Sequence, residues 1–181
     1  MTLMNRPLAH DAAPHLGRDR PYRLDGLDPD GTSRPCVTME LGMQAFALDV
    51  AMVREILEIR PITPLPNAPS DLLGMIDLRG ESIAVIDVTA RLGLPHRASD
   101  PERILVLDLE GGHGAAIGVI ADRVLNVIDL APEDIEPPPD TRIDWSCNGM
   151  LGIIRIGGRQ TILLDPTRLL GRDAGDGLFF G

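Results

Sequence analysis

The 181-residue sequence contains no lysine; all 17 basic residues are arginine. That absence excludes a phosphate-loop lysine and Schiff-base chemistry. Aromatic residues make up only 3% of the chain, so the core has to be built from Val, Ile, Leu, Met and Ala. The same scarcity removes the stacking platforms that single-stranded nucleic acid needs. Cysteine occurs twice, at Cys36 and Cys147, without local spacing. Two such thiols make neither a zinc site nor a disulfide framework. A single bridge between them stays open, although the cysteine usage points to a reducing compartment. No apolar run approaches the ~20 residues of a membrane span, and the N-terminus lacks the apolar segment of a signal peptide. The expectation is a cytoplasmic protein with no direct membrane insertion.

The excess charge is of one sign. The net charge is -10, and residues 1–35 hold five Arg and five Asp, which cancel. The remaining chain carries 12 Arg against 22 acids. Nucleic acid wants a basic face, so a nucleic-acid partner is disfavoured.

What the sequence does contain is a repeat. Residues 73–93, LGMIDLRGESIAVIDVTARLG, lie on residues 151–171, LGIIRIGGRQTILLDPTRLLG, at an offset of 78, with eight of 21 positions identical. Each copy reads as a hairpin followed by a short helix. The turn is Arg79-Gly80 in the first copy and Gly157-Gly158 in the second, a favoured pair for a two-residue turn. Asp87 and Asp165 stand where a helical turn needs a cap, and Gly93 and Gly171 where it ends. A weaker likeness at an offset of 71 relates residues 45–56 to 116–127. Residues 37–41 and 45–48 read as a hairpin around Gly42-Met43. Residues 49–52 read as one helical turn and residues 53–59 as a strand, with a longer helix over 49–59 as the competing reading. Residues 60–71 and 131–148 are proline-bearing connectors. Residues 103–109, 115–121 and 124–130 read as three further strands. Residues 1–35, rich in Pro, Asp, Gly, Arg and His, are expected to be a disordered tail, and residues 172–181 a C-terminal tail.

Ten or so short strands with tight turns predict a mostly β protein, and the duplication predicts two small five-stranded barrels that hide their edges by closing. The duplicated body is expected over residues 36–171.

No catalytic, cofactor or metal constellation emerges. Gly112-His113-Gly114 fails the dinucleotide pattern because Ile117 stands where a glycine is needed. His10, His15, His96 and His113 lack partners at metal or triad spacing. Asp87 and Asp165 read as caps, and Asp122 has no acid-base partner in the pattern. Arg79 is the exception that carries interest. Its repeat counterpart is Gly157, so the turn does not need an arginine. A solvated charge, a contact residue and a buried pair with Glu55 are the three readings.

Pro66-Asn67-Ala68-Pro69, then Gly74 followed by Leu78-Arg79-Gly80, then Val85-Ile86-Asp87, resembles the signature of CheW-type chemotaxis coupling proteins. Residues 117–124, Ile135 with Pro137-Pro138, and the closing residues 151–170 are similar to the family as well. The resemblance runs from about residue 36 to 170. Asp77 replaces the usual Asn and Ala84 the usual Pro, departures that bear on partner preference more than on fold. The resemblance implies a non-enzymatic adaptor in two interwoven SH3-like barrels. It would couple methyl-accepting chemoreceptors to the histidine kinase CheA in cytoplasmic arrays at the inner face of the membrane. Its implied partners are the regulatory domain of CheA, the receptor's cytoplasmic tip and other CheW-like domains, with no cofactor. Arg79 and Glu55 become the implied protein-binding residues, with Val53 and Ile56 as apolar contacts. The alternative is a similar interaction module in a sensory kinase system unrelated to motility.

Overall fold

The two copies of the repeat fold alike. In the first, β5 (Leu72–Leu78) and β6 (Glu81–Ile86) form a hairpin that leads into helix α1 (Val88–Arg91). In the second, β10 (Met150–Ile156) and β11 (Arg159–Leu164) lead into α2 (Pro166–Gly175). Strand ends match at the offset of 78, and so does a bulge, between Leu72 and Gly74 and between Met150 and Gly152. The computed structural model describes residues 6–7, 33–95, 101–109, 116–137 and 149–175. The four histidines, Cys147 and the Gly112-His113-Gly114 segment lie outside them.

The remaining strands are β1 (Arg6–Pro7), β2 (Arg34–Leu41), β3 (Gln44–Asp49), β4 (Val53–Glu58), β7 (Arg103–Asp108), β8 (Ala116–Ala121) and β9 (Arg123–Leu130). At residues 49–59 the structure has the helical turn followed by a strand, and not the longer helix. Asp49 caps a 3-10 turn over Val50–Met52, and β4 follows.

Two sheets result, with strand orders β1-β9-β2-β3-β11-β10 and β4-β7-β8-β6-β5. Without β1, the two orders correspond strand for strand under the duplication. Each sheet is therefore assembled from both halves of the chain. The exchange is made by parallel pairing: Ala84 to Ile86 of β6 against Ile117 to Val119 of β8, and Thr161 to Leu163 of β11 against Ala45 to Ala47 of β3. The sheets are mixed rather than antiparallel throughout.

Neither sheet is a closed barrel, which corrects the expectation of two five-stranded barrels. No ladder joins β4 to β5, or β9 to β10, at the ends of the sheets. Edge exposure was the right concern, but closure is not how it is met. The connectors blunt the edges instead. Thr63 exchanges two 2.8 Å backbone hydrogen bonds with Met75 on the outer side of β5, and Glu136 does the same for Ile153 on β10 at 2.8 and 2.9 Å. A short proline-flanked bridge satisfies an edge without offering a continuing ladder.

Side-chain alternation feeds three cores. Along β7, Ile104 and Val106 enter a cluster belonging to the five-stranded sheet, while Leu105 and Leu107 face a larger one between the sheets. That central cluster takes Met39, Leu41, Phe46 and Leu48 from the other sheet and Val88, Leu169 and Leu170 from the helices. A third, around Cys36, Ile128, Ile154 and Leu163, serves the six-stranded sheet. Phe46 supplies bulk that the rest of this aromatic-poor chain lacks.

Both aspartates cap as expected. Asp87 accepts from the Thr89 and Ala90 amides, and Asp165 from the Arg168 amide at 3.2 Å. Gly93 has the left-handed φ of +64° expected of a terminating glycine. Gly171 does not end its helix; α2 runs on to Gly175. The helices are tied together by Arg91, which donates from Nε to Asp71 Oδ2 at 2.6 Å and from Nη1 to the Leu169 carbonyl at 3.2 Å.

Cys36 is free and buried. Desolvation, reinforced by the Asp49 carboxylate, pushes its thiol up to about 12. Since the thiolate is the reactive form, in a Cys147→Ser background Cys36 is expected to ignore a thiol-reactive dye at pH 8 until the chain is unfolded; labelling of the native protein at the denatured rate would contradict this.

Gly74 sits at φ +140°, and a Cβ there would lie 2.2 Å from the Thr63 carbonyl oxygen. At Gly152 a Cβ would meet Ile135 at 2.6 Å and the Glu136 oxygen at 2.8 Å. Gly74→Ala and Gly152→Ala are expected to cost about 2 kcal/mol or more each, because backbone has to move. Gly80→Ala has open space around it and is expected to cost only about 1 kcal/mol of strain. Urea midpoints of the three variants check the ranking.

Candidate functional site

Strand β4 and the β5–β6 turn come from opposite ends of the five-stranded sheet, yet side chains connect them at one corner. Arg79 Nη2 donates to Glu55 Oε1 at 3.0 Å. Next to this pair, Arg54 Nη2 lies 2.8 Å from Glu81 Oε2. The four residues alternate in sign, cation and anion on each side of the gap. Of the readings left open for Arg79, the buried pair with Glu55 is corrected: the pair forms, but at the surface. The Arg79 side chain is 79% exposed and that of Glu55 25%. One edge of the guanidinium is thereby held while the rest faces solvent.

The turn itself shows why Arg79 is unusual. Arg79 and Gly80 have φ of +56° and +84°; Gly157 and Gly158, in the duplicate, have +57° and +82°. The backbone is the same, and the duplicate fills it with the residue that tolerates it. A non-glycine residue in the left-handed region costs about 1 kcal/mol. A solvent-side ion pair returns roughly 0–1 kcal/mol. The two are of the same size, so stability alone gives no reason for arginine at this position. Strain kept without a stability gain is a mark of function. Asp77 supports the turn, its Oδ1 accepting the Gly80 amide at 3.3 Å, so this departure from the usual Asn keeps the turn's side-chain acceptor.

Val53 and Ile56 do not join the Arg79–Glu55 corner directly. Both are half-buried and pack against the central cluster between the sheets, whereas Leu57 enters the cluster of the five-stranded sheet. The bulge between Val53 and Glu55 breaks the two-residue alternation and allows Val53 and Ile56 to serve the same core. Polar corner and apolar seam thus meet along one edge strand. Arg54 and Glu81 are the members of this corner that reading the sequence missed. Its only signal was their position beside the two residues already singled out.

The remaining polar groups act in the fold. Asp122 Oδ2 accepts the Gly42 amide at 2.5 Å, tying the β2–β3 turn to the start of β9. Burial raises the Asp165 carboxyl above its ordinary range, against the lowering effect of the Arg168 amide and charge. Among the described residues, no group of three His, Cys, Asp or Glu is placed to hold a metal ion. No described helix is long and apolar enough to cross a membrane.

Residues 35–174 match the model of the CheW-like domain. The chain is 32% identical over 132 residues to a chemotaxis protein CheW of Rhizobium meliloti (strain 1021), covering 73% of this chain and 84% of that one. It is 33% identical over 120 residues to the protein FrzA of Myxococcus xanthus, covering 65% and 73%. The crystal structure of the scaffolding protein TtCheW from Thermoanaerobacter tengcongensis is similar with a TM-score of 0.64 at 32% identity, covering 74% of this chain and 89% of that one. With the domain matched over the whole duplicated body and relatives covered over most of their length, the chain belongs to the CheW-like family of non-catalytic chemotaxis adaptors.

Proposed function

We propose that this chain links the cytoplasmic tip of a methyl-accepting chemoreceptor to the regulatory domain of the kinase CheA, in arrays at the inner face of the membrane. The receptor contact is assigned to the corner of Arg79 and Glu55, with Val53 and Ile56 offering apolar surface beside it. Residues 36–171 form the docking body, with residues 1–35 and 172–181 as its tails. The observation that supports this assignment is the arginine retained at a left-handed position that its duplicate gives to glycine.

The geometry suits a modest signalling contact. A guanidinium with one edge pinned loses little further freedom when a carboxylate or backbone carbonyl of a partner meets its open side. The half-buried seam supplies apolar area, and the net charge of -10 favours partners with basic patches around the contact. Signalling interfaces of small area need no more than this.

Arg79→Gly separates function from stability. It relieves the left-handed strain, so the melting transition is expected to stay or rise, by at most about 1 kcal/mol. Receptor-dependent kinase activation in a reconstituted mixture of adaptor, kinase and receptor fragment is expected to fall sharply. Arg79→Glu, placed against Glu55, is expected to fall further. Undiminished activation by Arg79→Gly would remove Arg79 from the contact.

Co-purification tests the two partners independently. The Arg79 variants are expected to hold the kinase regulatory domain while releasing the receptor fragment. Release of both together would mean that the corner is not specific to the receptor.

A further inference from the structure

The duplication gives the molecule two equivalent outer strands, and they are finished differently. At the offset of 71, Val53, Arg54, Glu55, Ile56, Leu57 and Glu58 of β4 correspond to Val124, Leu125, Asn126, Val127, Ile128 and Asp129 of β9. Among the described residues, β4 has β7 as its one strand neighbour. Arg54 and Glu55 stand in the middle of β4, where charges oppose strand addition. On β9 their places are taken by Leu125 and Asn126, and residues 124–128 contain no charge at all. A short, uncharged, β-branched edge is one that another strand can extend.

That edge is covered. The N-terminal β1 lies antiparallel on it, Arg6 opposite Val127 and Pro7 opposite Asn126. The cover is only two residues long, and its proline brings no N–H to the ladder. So the strand with charges meets side chains of the β5–β6 turn across its gap, and the strand without them carries a two-residue cap.

We propose that β1 is a displaceable guard over a self-association edge, and that the occupant when it leaves is β9 of a second copy. Antiparallel pairing of β9 with β9 is two-fold symmetric, so it closes at a dimer instead of propagating. The uncharged segment 124–128 carries the apolar residues Leu125 and Val127 on either side of Asn126, where a register shift against β2 lets Thr38 Oγ1 bond both the Asn126 carbonyl and amide. The second copy of β4 is a poorer occupant, because it would bring Arg54, Glu55 and Glu58 against an uncharged strand.

The test is the mass in solution, by sedimentation, of the full chain, of a chain lacking residues 1–8, and of full-length Arg6→Pro, which weakens the guard without shortening it. The full chain is expected to sediment as one copy, and both variants are expected to shift toward two. A peptide of residues 1–10 added in excess is expected to return the shortened chain to one copy. Leu125→Arg, which restores the charge that β4 carries, is expected to prevent the dimer. A shortened chain that melts cooperatively yet stays monomeric would overturn the proposal, as would a full chain that is already as dimeric as the variants. If the shortened chain does not fold, Arg6→Pro decides: dimer supports the guard, and monomer overturns it. Mass beyond two copies would overturn the symmetric β9 pairing.

Discussion

The parallel pairing of each repeat hairpin with a strand from the other half of the chain is the constraint on which this structure rests. β6 needs β8, and β11 needs β3. Neither half holds the strands to complete a sheet. The connectors at residues 59–71 and 131–149 join β4 to β5 and β9 to β10, strands that, β1 aside, stand at opposite ends of the same sheet. The exchange also places the central core between the two sheets. Leu105 and Leu107 meet Met39, Phe46 and Leu48 there, and the two helices close over it.

Both sheets stay open: no ladder joins β4 to β5 or β9 to β10. Side chains and connectors then finish what ladders do not. The Arg79–Glu55 and Arg54–Glu81 pairs span one gap, and the bridges at Thr63 and Glu136 cap the outer hairpin strands. An edge left open but charged is soluble and still accessible, which is a useful condition for a protein whose work is docking.

Duplication lets the molecule act as its own control. The two hairpin turns have the same backbone, so the difference between Arg79 and Gly157 isolates what the side chain adds. It adds little stability, since left-handed strain and an exposed ion pair are of equal size. The two outer strands compare in the same way. One carries Arg54 and Glu55, the other Leu125 and Asn126, and only the second has a strand laid over it. Equivalent scaffolds have been given different edges, which is how one duplicated body presents more than one kind of surface.

The sequence by itself determined the local units. The 21-residue repeat placed both hairpins, their turns and the aspartate caps, because turns and caps depend on neighbours: Gly157-Gly158, Asp87 and Asp165 act within a few residues of themselves. The singular position of Arg79 was legible for the same reason, by comparison with its own copy. The ending of α2 was not, since Gly171 can lie within a helix as well as end one. Only the tertiary structure decided which strands pair. An exchanged parallel partner leaves no mark in the two-residue alternation, and β6 reads the same whether its neighbour comes from its own half or the other. That is why closed barrels were expected and open mixed sheets were found. The contact of Arg79 with Glu55, and the company of Arg54 and Glu81, likewise depend on how a sheet twists over a distance of 24 residues in sequence, which no local pattern encodes.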